Sequence, residues 1–217
     1  MGQEQAVQAL KRAELLVTGH FVYSSGKHGH TYVNKDDLYP HTMEVSLLCR
    51  MIAERFIAER IEVVVAPEKG GITLSQWTAY HLSLLTRREV LAVYASKLPR
   101  EGDLPSLLSF FFERRNGRHI PGRRVLCVDD VATTGRTLAR VIQATEKAGG
   151  VIGGIGILVN RGGAAIQSAF ATPKVFSVAT ISLPSWEAWE CPLCARGVTI
   201  NTALGHGKEF LERGQKT

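Results

Sequence analysis

The sequence predicts an α/β fold built on a parallel, doubly wound sheet, and three observations carry that prediction. Short β-branched runs at 62–66, 89–95, 125–128, 151–159 and near 175–181 alternate with helical patterns at the lengths of βαβ units. The run 125–128 (Val-Leu-Cys-Val) has no polar residue, as expected of a central strand covered on both faces. Glycines close the helical patterns at Gly19 and at Gly149-Gly150.

In chain order, residues 4–17 place Ala6, Val7, Leu10, Ala13 and Leu16 at helical spacing, so an amino-terminal helix is expected. The runs 21–23 and 31–33 flank the turn-rich Ser24-Ser25-Gly26-Lys27-His28-Gly29 and predict a hairpin outside the main alternation. Val45, Leu48, Ile52, Phe56 and Ile57 predict a helix over 43–61, with Thr42 as its N-cap. Strand 62–66, loop 67–71, helix 72–85 and strand 89–95 follow. Within the variable stretch 96–122, Phe110-Phe111-Phe112 suits a strand. A helix over 136–148 succeeds the 125–128 strand. The tail, 183–217, mixes Pro, Trp and Gly without a period and reads as irregular. Gly153-Gly154-Ile155-Gly156 fails the G-x-G-x-x-G spacing and lies inside a strand pattern, and no G-x-x-x-x-G-K-[ST] sequence occurs, which argues against dinucleotide and P-loop sites.

At 217 residues, a single domain (1–217) with small appendages is expected. No apolar run approaches the ~20 residues of a membrane helix, and the polar start with Glu4 does not resemble a signal peptide, so a cytoplasmic protein is expected. The net charge of +6 would suit nucleic acid, an acidic membrane surface or a small polyanion. Basic residues are dispersed, with pairs only at Arg87-Arg88, Arg114-Arg115 and Arg123-Arg124. That favours the small polyanion over nucleic acid or membrane, although a solvated surface excess explains the charge as well. Cys49 and Cys127 read as core residues. Cys191 and Cys194 form one C-x-x-C, half a zinc site. Its missing ligands would come from His206, the other cysteines or a second subunit, and a disulfide or plain packing are the alternatives.

The chemistry concentrates at 125–137. Asp129 and Asp130 end the apolar run where open α/β sheets bind ligands, and two carboxylates there can accept hydrogen bonds from vicinal hydroxyls. Val131 and Ala132 lead into Thr133, Thr134, Gly135, Arg136 and Thr137, which offer hydroxyls and amides at a helix start, a site for phosphate. Sugar hydroxyls on the acids and a phosphate on the turn describe a ribose 5-phosphate. Two further pieces reach the same sheet edge. In Pro67-Glu68-Lys69-Gly70-Gly71 the glycines Gly70 and Gly71 let amides approach an anion and Lys69 adds charge. Asn160-Arg161-Gly162-Gly163 places a cation, Arg161, where an acidic ring substituent could be paired bidentately.

Residues 125–137 resemble the PRPP-binding motif of the type I phosphoribosyltransferases (PRPP is 5-phosphoribosyl 1-diphosphate), with only Ala132 off-pattern. The segments 25–28 and 31–36, the 67–71 loop and Asn160-Arg161 are similar to orotate phosphoribosyltransferases in particular. The resemblance implies a type I phosphoribosyltransferase-like sheet with a hood at about 18–40 over the base. It also implies orotate contacts from Thr133 and Arg161, a PRPP contact from Lys69, and Mg2+ bound mainly through PRPP. It implies a homodimer, whose mobile loop acts across the interface. One departure stands out. The family commonly has Arg-Lys before that loop and K-x-H-G-x-G within it, where this chain has Ser96-Lys97 and then Leu-Pro-Arg-Glu-Gly-Asp-Leu, leaving Lys97 and Arg100 as substitutes.

The expected reaction is attack of a base nitrogen on C1 of PRPP as pyrophosphate leaves, with Asp129, Asp130 and Lys97 as the catalytic set and orotate as the leading acceptor. A purine or other base is the alternative within this class. A noncatalytic PRPP-sensing regulator is the alternative of another class, and it would explain the altered loop.

Overall fold

The computed structural model describes residues 3–12, 15–23, 25–98, 109–170 and 174–214. Helix α1 (Gln3–Arg12) is shorter than expected, because Leu16 and Val17 pair with Val33 and Tyr32 in a hairpin of β1 (Leu16–Val22) and β2 (His28–Val33). Helical spacing at those two positions yields to the ladder, since helix propensity differs among ordinary residues by less than about 1 kcal/mol. After the single turn α2 (Lys35–Leu38), α3 (Thr42–Arg55) begins at Thr42 itself. His41 holds the N-cap position with no side-chain cap, so the expected threonine cap is not formed. The helix also stops before Ile61: Ile57–Glu59 tighten into a 3-10 turn and Arg60 turns left-handed at φ 51°.

The sheet and its helices then follow in order: β3 (Val63–Pro67), α4 (Gly70–Thr86), β4 (Leu91–Leu98), β5 (Ser109–Phe111), α5 (Arg114–Gly117), β6 (Arg124–Ala132), α6 (Arg136–Lys147), β7 (Val151–Asn160), α7 (Ala164–Ala169) and β8 (Val175–Thr180). Their spatial order is β5-β4-β3-β6-β7-β8. Pairing is parallel except at the edge, where β5 runs antiparallel to β4, so the phenylalanine run does form a strand. The chain winds outward in opposite directions from the central pair β3 and β6. The loops leaving these two strands therefore diverge and open a crevice at their carboxyl ends, the switch point where such sheets bind ligands.

Period-2 alternation builds a core on each face of the sheet. Val64, Ala66, Leu126 and Val128 pack with Ile52 of α3 and Leu74 of α4, whereas Val63, Val65, Val125 and Cys127 pack with Leu138 and Val141 of α6. Cys49 and Cys127 are both fully buried, as expected. β7 runs straight through its glycines, which serve packing: a Cβ at Gly154 or Gly156 would strike Phe56 or Ile52.

The tail is not irregular. β9 (Ser185–Trp186) adds a third strand to the hairpin, pairing Trp186 with His28 and Ser185 with Gly29. A 3-10 turn at Ala188–Glu190, closed by a Glu187/Glu190 capping box, leads to α8 (Pro192–Ala195) and then α9 (Gly207–Gly214). Backbone bonds from Asn201 to His20 and from His206 to Val22 fasten the tail to β1. Elements this short cannot display a period, which is why the sequence pattern hides them.

Candidate active site

β6 extends four residues beyond Val128, carrying Asp129 and Asp130 inside the strand rather than at its end. Val131 and Ala132 are its last residues, laddered to Val159 and Asn160. Both acids are buried. The Asp130 carboxylate accepts from the Val131 amide at 2.7 Å and from the Tyr39 hydroxyl at 2.8 Å, with the Lys35 ammonium 3.6 Å away. Asp129 accepts from the Asp130 amide at 3.0 Å. Burial, and then the neighbouring Asp130 charge, hold the Asp129 carboxyl well above the usual carboxylate range; the Asp130 amide and the charges of Lys35 and Lys97 pull the other way. Burial and the same two acids also raise the Tyr39 hydroxyl, keeping it a neutral donor.

Beyond the strand, Thr133 and Thr134 are exposed and Gly135 caps α6 at φ 71°. Only glycine suits this position, because a Cβ would meet Phe170 at 3.0 Å in a conformation that L side chains avoid. Arg136 and Thr137, also exposed, begin the helix, so the turn presents hydroxyls and unpaired amides to solvent at a positive helix end.

The loop after β3 is shorter than expected. Gly70 and Gly71 form the first turn of α4, with Lys69 exposed at its N-cap, so the amides offered here are those of a second helix start. A Cβ on Gly70 would collide with the Tyr39 ring, the same side chain that holds Asp130. Gly71 sits against Ala66. On the other side, the Lys97 amide donates to Glu68 at 2.8 Å, tying this loop to the end of β4. Lys97 itself is exposed, and the divergent loop with Arg100 lies outside the described residues.

Arg161 follows β7, and its amide donates to Ala132 at 2.8 Å, so backbone bonding sets it beside the motif. Its guanidinium lies 5.1 Å from the Tyr23 ring centre, and its Nε is buried without a hydrogen-bond partner. A cavity of about 570 Å³ adjoins the turn and Arg161, lined by Tyr23 and Ser25 from the hairpin, Thr133, Thr134 and Arg136 from the turn, Arg161, and Leu183 and Ser185 from the tail; Asp129, Asp130, Lys69 and Lys97 are not among its lining residues. The sheet edge thus combines two acids, two helix starts and a half-buried cation whose Nε has no partner, an arrangement able to hold a phosphorylated sugar beside an anionic planar group.

Residues 36–191 match the family described as the phosphoribosyl transferase domain. This chain belongs to the phosphoribosyltransferase family. Among this phosphoribosyltransferase's relatives, the orotate phosphoribosyltransferase of Caldanaerobacter subterraneus subsp. tengcongensis is 32% identical over 200 residues, covering 92% of this chain and 96% of the relative. Among solved structures, the orotate phosphoribosyltransferase from Aeropyrum pernix is 26% identical with a TM-score of 0.60, covering 80% of this chain and 92% of the other. The Mycobacterium tuberculosis enzyme in complex with PRPP shares the fold at 21% identity and a TM-score of 0.59, covering 83% and 91% of the two chains.

Sequence reasoning missed four contributors to this phosphoribosyltransferase site. Tyr39 carries no motif signal, and Lys35 stands within the 31–36 segment without an evident partner. Leu183 and Ser185 arrive only through the pairing of β9. His28, read as part of the hairpin turn, points elsewhere. It lies with His20, Cys191 and Cys194 in a cluster whose ligand atoms are all within 4.8 Å of one another. His206, expected beside the cysteines, instead lies exposed with its Nδ1 4.0 Å from Glu209.

Proposed function

We propose that the chain transfers the 5-phosphoribosyl group from PRPP to orotate, releasing pyrophosphate and forming orotidine 5'-phosphate, a step of pyrimidine nucleotide synthesis. The observation that carries the choice of base is Arg161. Arg161 lines a cavity shared with the phosphate turn and its Nε is buried without a partner, and a guanidinium with an unpaired donor calls for an acceptor such as a carboxylate. The orotate carboxylate fits that requirement, and Thr133 stands close enough in the same cavity to contact the ring.

In this reading Asp129 and Asp130 receive the two ribose hydroxyls, and the turn from Thr133 to Thr137 holds the 5-phosphate. Lys69 with the Gly70 and Gly71 amides receives the pyrophosphate, and Lys97 adds charge at its departure. The transition state resembles an oxocarbenium ion, so the residues act by positioning and by charge stabilisation, with no covalent nucleophile. Asp130 is already engaged by Tyr39, Val131 and Lys35, which leaves no carboxylate cage for a metal. Mg2+ would be held mainly by PRPP oxygens and water, where it offsets charge on the leaving pyrophosphate.

The same reading treats the chain as one catalytic domain with residues 18–40 as a hood over the base, working in the cytoplasm as a homodimer. Exposed Tyr80, Leu84 and Leu85 along α4 supply apolar surface for such pairing. Among the described residues no helix is long and apolar enough to cross a membrane.

Pyrophosphate release measured with orotate, uracil, adenine, hypoxanthine and guanine tests the proposal. Turnover is expected on orotate. Turnover on a purine alone would reassign the base, and PRPP binding without turnover on any base would replace the enzyme with a regulator.

A further inference from the structure

The hairpin and the tail meet at a cluster that the phosphoribosyl chemistry does not use. His20 of β1 and His28 of β2 are fully buried, and Cys191 and Cys194 flank the start of α8. The Nε2 of His20 stands 3.6 Å from the Cys191 sulfur and 3.7 Å from the Cys194 sulfur. The Nδ1 of His28 stands 3.4 Å from the Cys194 sulfur and 2.9 Å from the His20 Nε2. Zinc bonds of about 2.3 Å to sulfur and about 2.0 Å to nitrogen give a tetrahedron with N···S edges of about 3.5 Å and an N···N edge of about 3.3 Å. Three of the four N···S edges match within about 0.2 Å, the His28–Cys191 edge lies within 4.8 Å, and the N···N edge is a few tenths of an ångström short.

Hydrogen bonding sets the tautomer that such a site needs. The His20 Nδ1 lies 2.7 Å from the Val198 carbonyl. A carbonyl only accepts, so Nδ1 carries the proton and the neutral ring turns its Nε2 lone pair into the cluster, as in metal-ligating imidazoles whose other nitrogen donates to a carbonyl. At 2.9 Å the facing nitrogen of His28 needs a positive centre between the two rings. One proton would join the nitrogens and leave both sulfurs without a role. A divalent metal engages all four atoms, and with two thiolates it adds no net charge to a place where three of the four side chains are buried and Cys194 is exposed.

We propose that His20, His28, Cys191 and Cys194 form a structural zinc site that fastens the carboxy-terminal tail to the hairpin. All four tetrahedral positions are filled by protein, so the site is closed to substrate and structural in kind. Its consequence reaches the cavity through β9: His28 pairs with Trp186 and Gly29 with Ser185, so the ligand-bearing strand also positions a cavity-lining residue.

The test begins with the full-length protein, carrying no polyhistidine tag and purified from zinc-supplemented medium. Elemental analysis is expected to find about one zinc per chain, and Co2+ replacement is expected to give the intense visible bands of tetrahedral thiolate coordination. A chelator should then expose the Cys191 and Cys194 thiols to a thiol reagent together with the departing metal. Cys49 and Cys127 should stay silent, because burial pushes both thiols up to about 12. Cys191→Ser with Cys194→Ser is expected to lose the metal and to open the tail to proteolysis. Wild-type protein that takes up neither zinc nor cobalt, a mass showing the two cysteines joined as a disulfide, or stoichiometric zinc retained by the double variant would each overturn the site. These readouts do not depend on turnover, so they stand whether or not orotate is the substrate.

Discussion

The sheet-edge site and the hairpin-tail junction are built on opposite plans. At the sheet edge, one uninterrupted stretch supplies the acids, the turn and the helix start, and neighbouring loops of the same sheet add Lys69 and Arg161, with the hairpin, the short turn α2 and the tail around them. At the junction, two side chains of the cluster come from the hairpin and two from the tail, His20 and Cys191 standing 171 positions apart. Local chemistry at the first site depends on backbone geometry within a few residues. At the second it depends on a strand register set across the whole molecule. The two plans predict different failures. The sheet edge should lose ligand binding while keeping its fold, and the junction should lose its fold locally while keeping PRPP.

Four measurements sharpen that contrast. The largest effect is expected from Asp129→Asn with Asp130→Asn. Losing two carboxyl acceptors for hydroxyls should weaken PRPP binding by at least about tenfold by calorimetry, at about 1.5–3 kcal/mol for a hydrogen bond to a charged group and about 0.5–1.5 kcal/mol for one to a neutral group, while the circular dichroism spectrum is kept. Unchanged affinity would remove the role assigned to the acids. Next, Arg161→Ala should lower kcat/KM for orotate by roughly 2–4 kcal/mol of transition-state stabilisation while leaving the PRPP Kd within a few-fold. An equal loss in both would place Arg161 on the diphosphate instead.

Gly135→Ala should cost about 1–3 kcal/mol of stability in chemical denaturation, because it forces a positive φ on an L residue and presses on Phe170. Its PRPP affinity should fall as well, since the turn itself is displaced. The smallest effect is a pH dependence. The folded Asp129 carboxyl titrates above its unfolded value, so the native state keeps a proton that the unfolded chain has released. Stability of the unliganded protein should therefore fall as pH rises from the ordinary carboxylate range towards the raised folded value, and level off beyond it. Asp129→Asn should remove that slope, gaining about 1 kcal/mol on the alkaline side. A parallel slope in thermal melts of the two proteins would show that another group is responsible.

The same division explains what could be read in advance. The alternation of strand and helix, the buried 125–128 run and the Gly135 turn are local signals, and all appear in the fold. Arg161 and Lys69 were legible because strand ends in a parallel sheet share one edge. Tyr39 was not, since its bond to Asp130 arises from tertiary placement of a short helical turn. Leu16 and Val17 misled because an amphipathic spacing was completed by residues that belong to a ladder. The C-x-x-C pair reads as half a site, with His206, the other cysteines or a second subunit as the expected partners, whereas the hairpin register brings His20 and His28 beside it. A two-residue strand such as β9 has no period to find, and the Ser185 and Leu183 walls of the cavity were invisible with it.

The junction also sets a schedule. The hairpin leaves the ribosome well before its third strand and the cysteine pair. At about 5–20 residues per second of synthesis, the two histidines wait roughly 10–30 s for the cysteines 171 residues later. During that interval the nascent chain can assemble its sheet and its phosphate turn, but one wall of the cavity does not yet exist. Completion of the cavity is thereby deferred until Leu183 and Ser185 have been made.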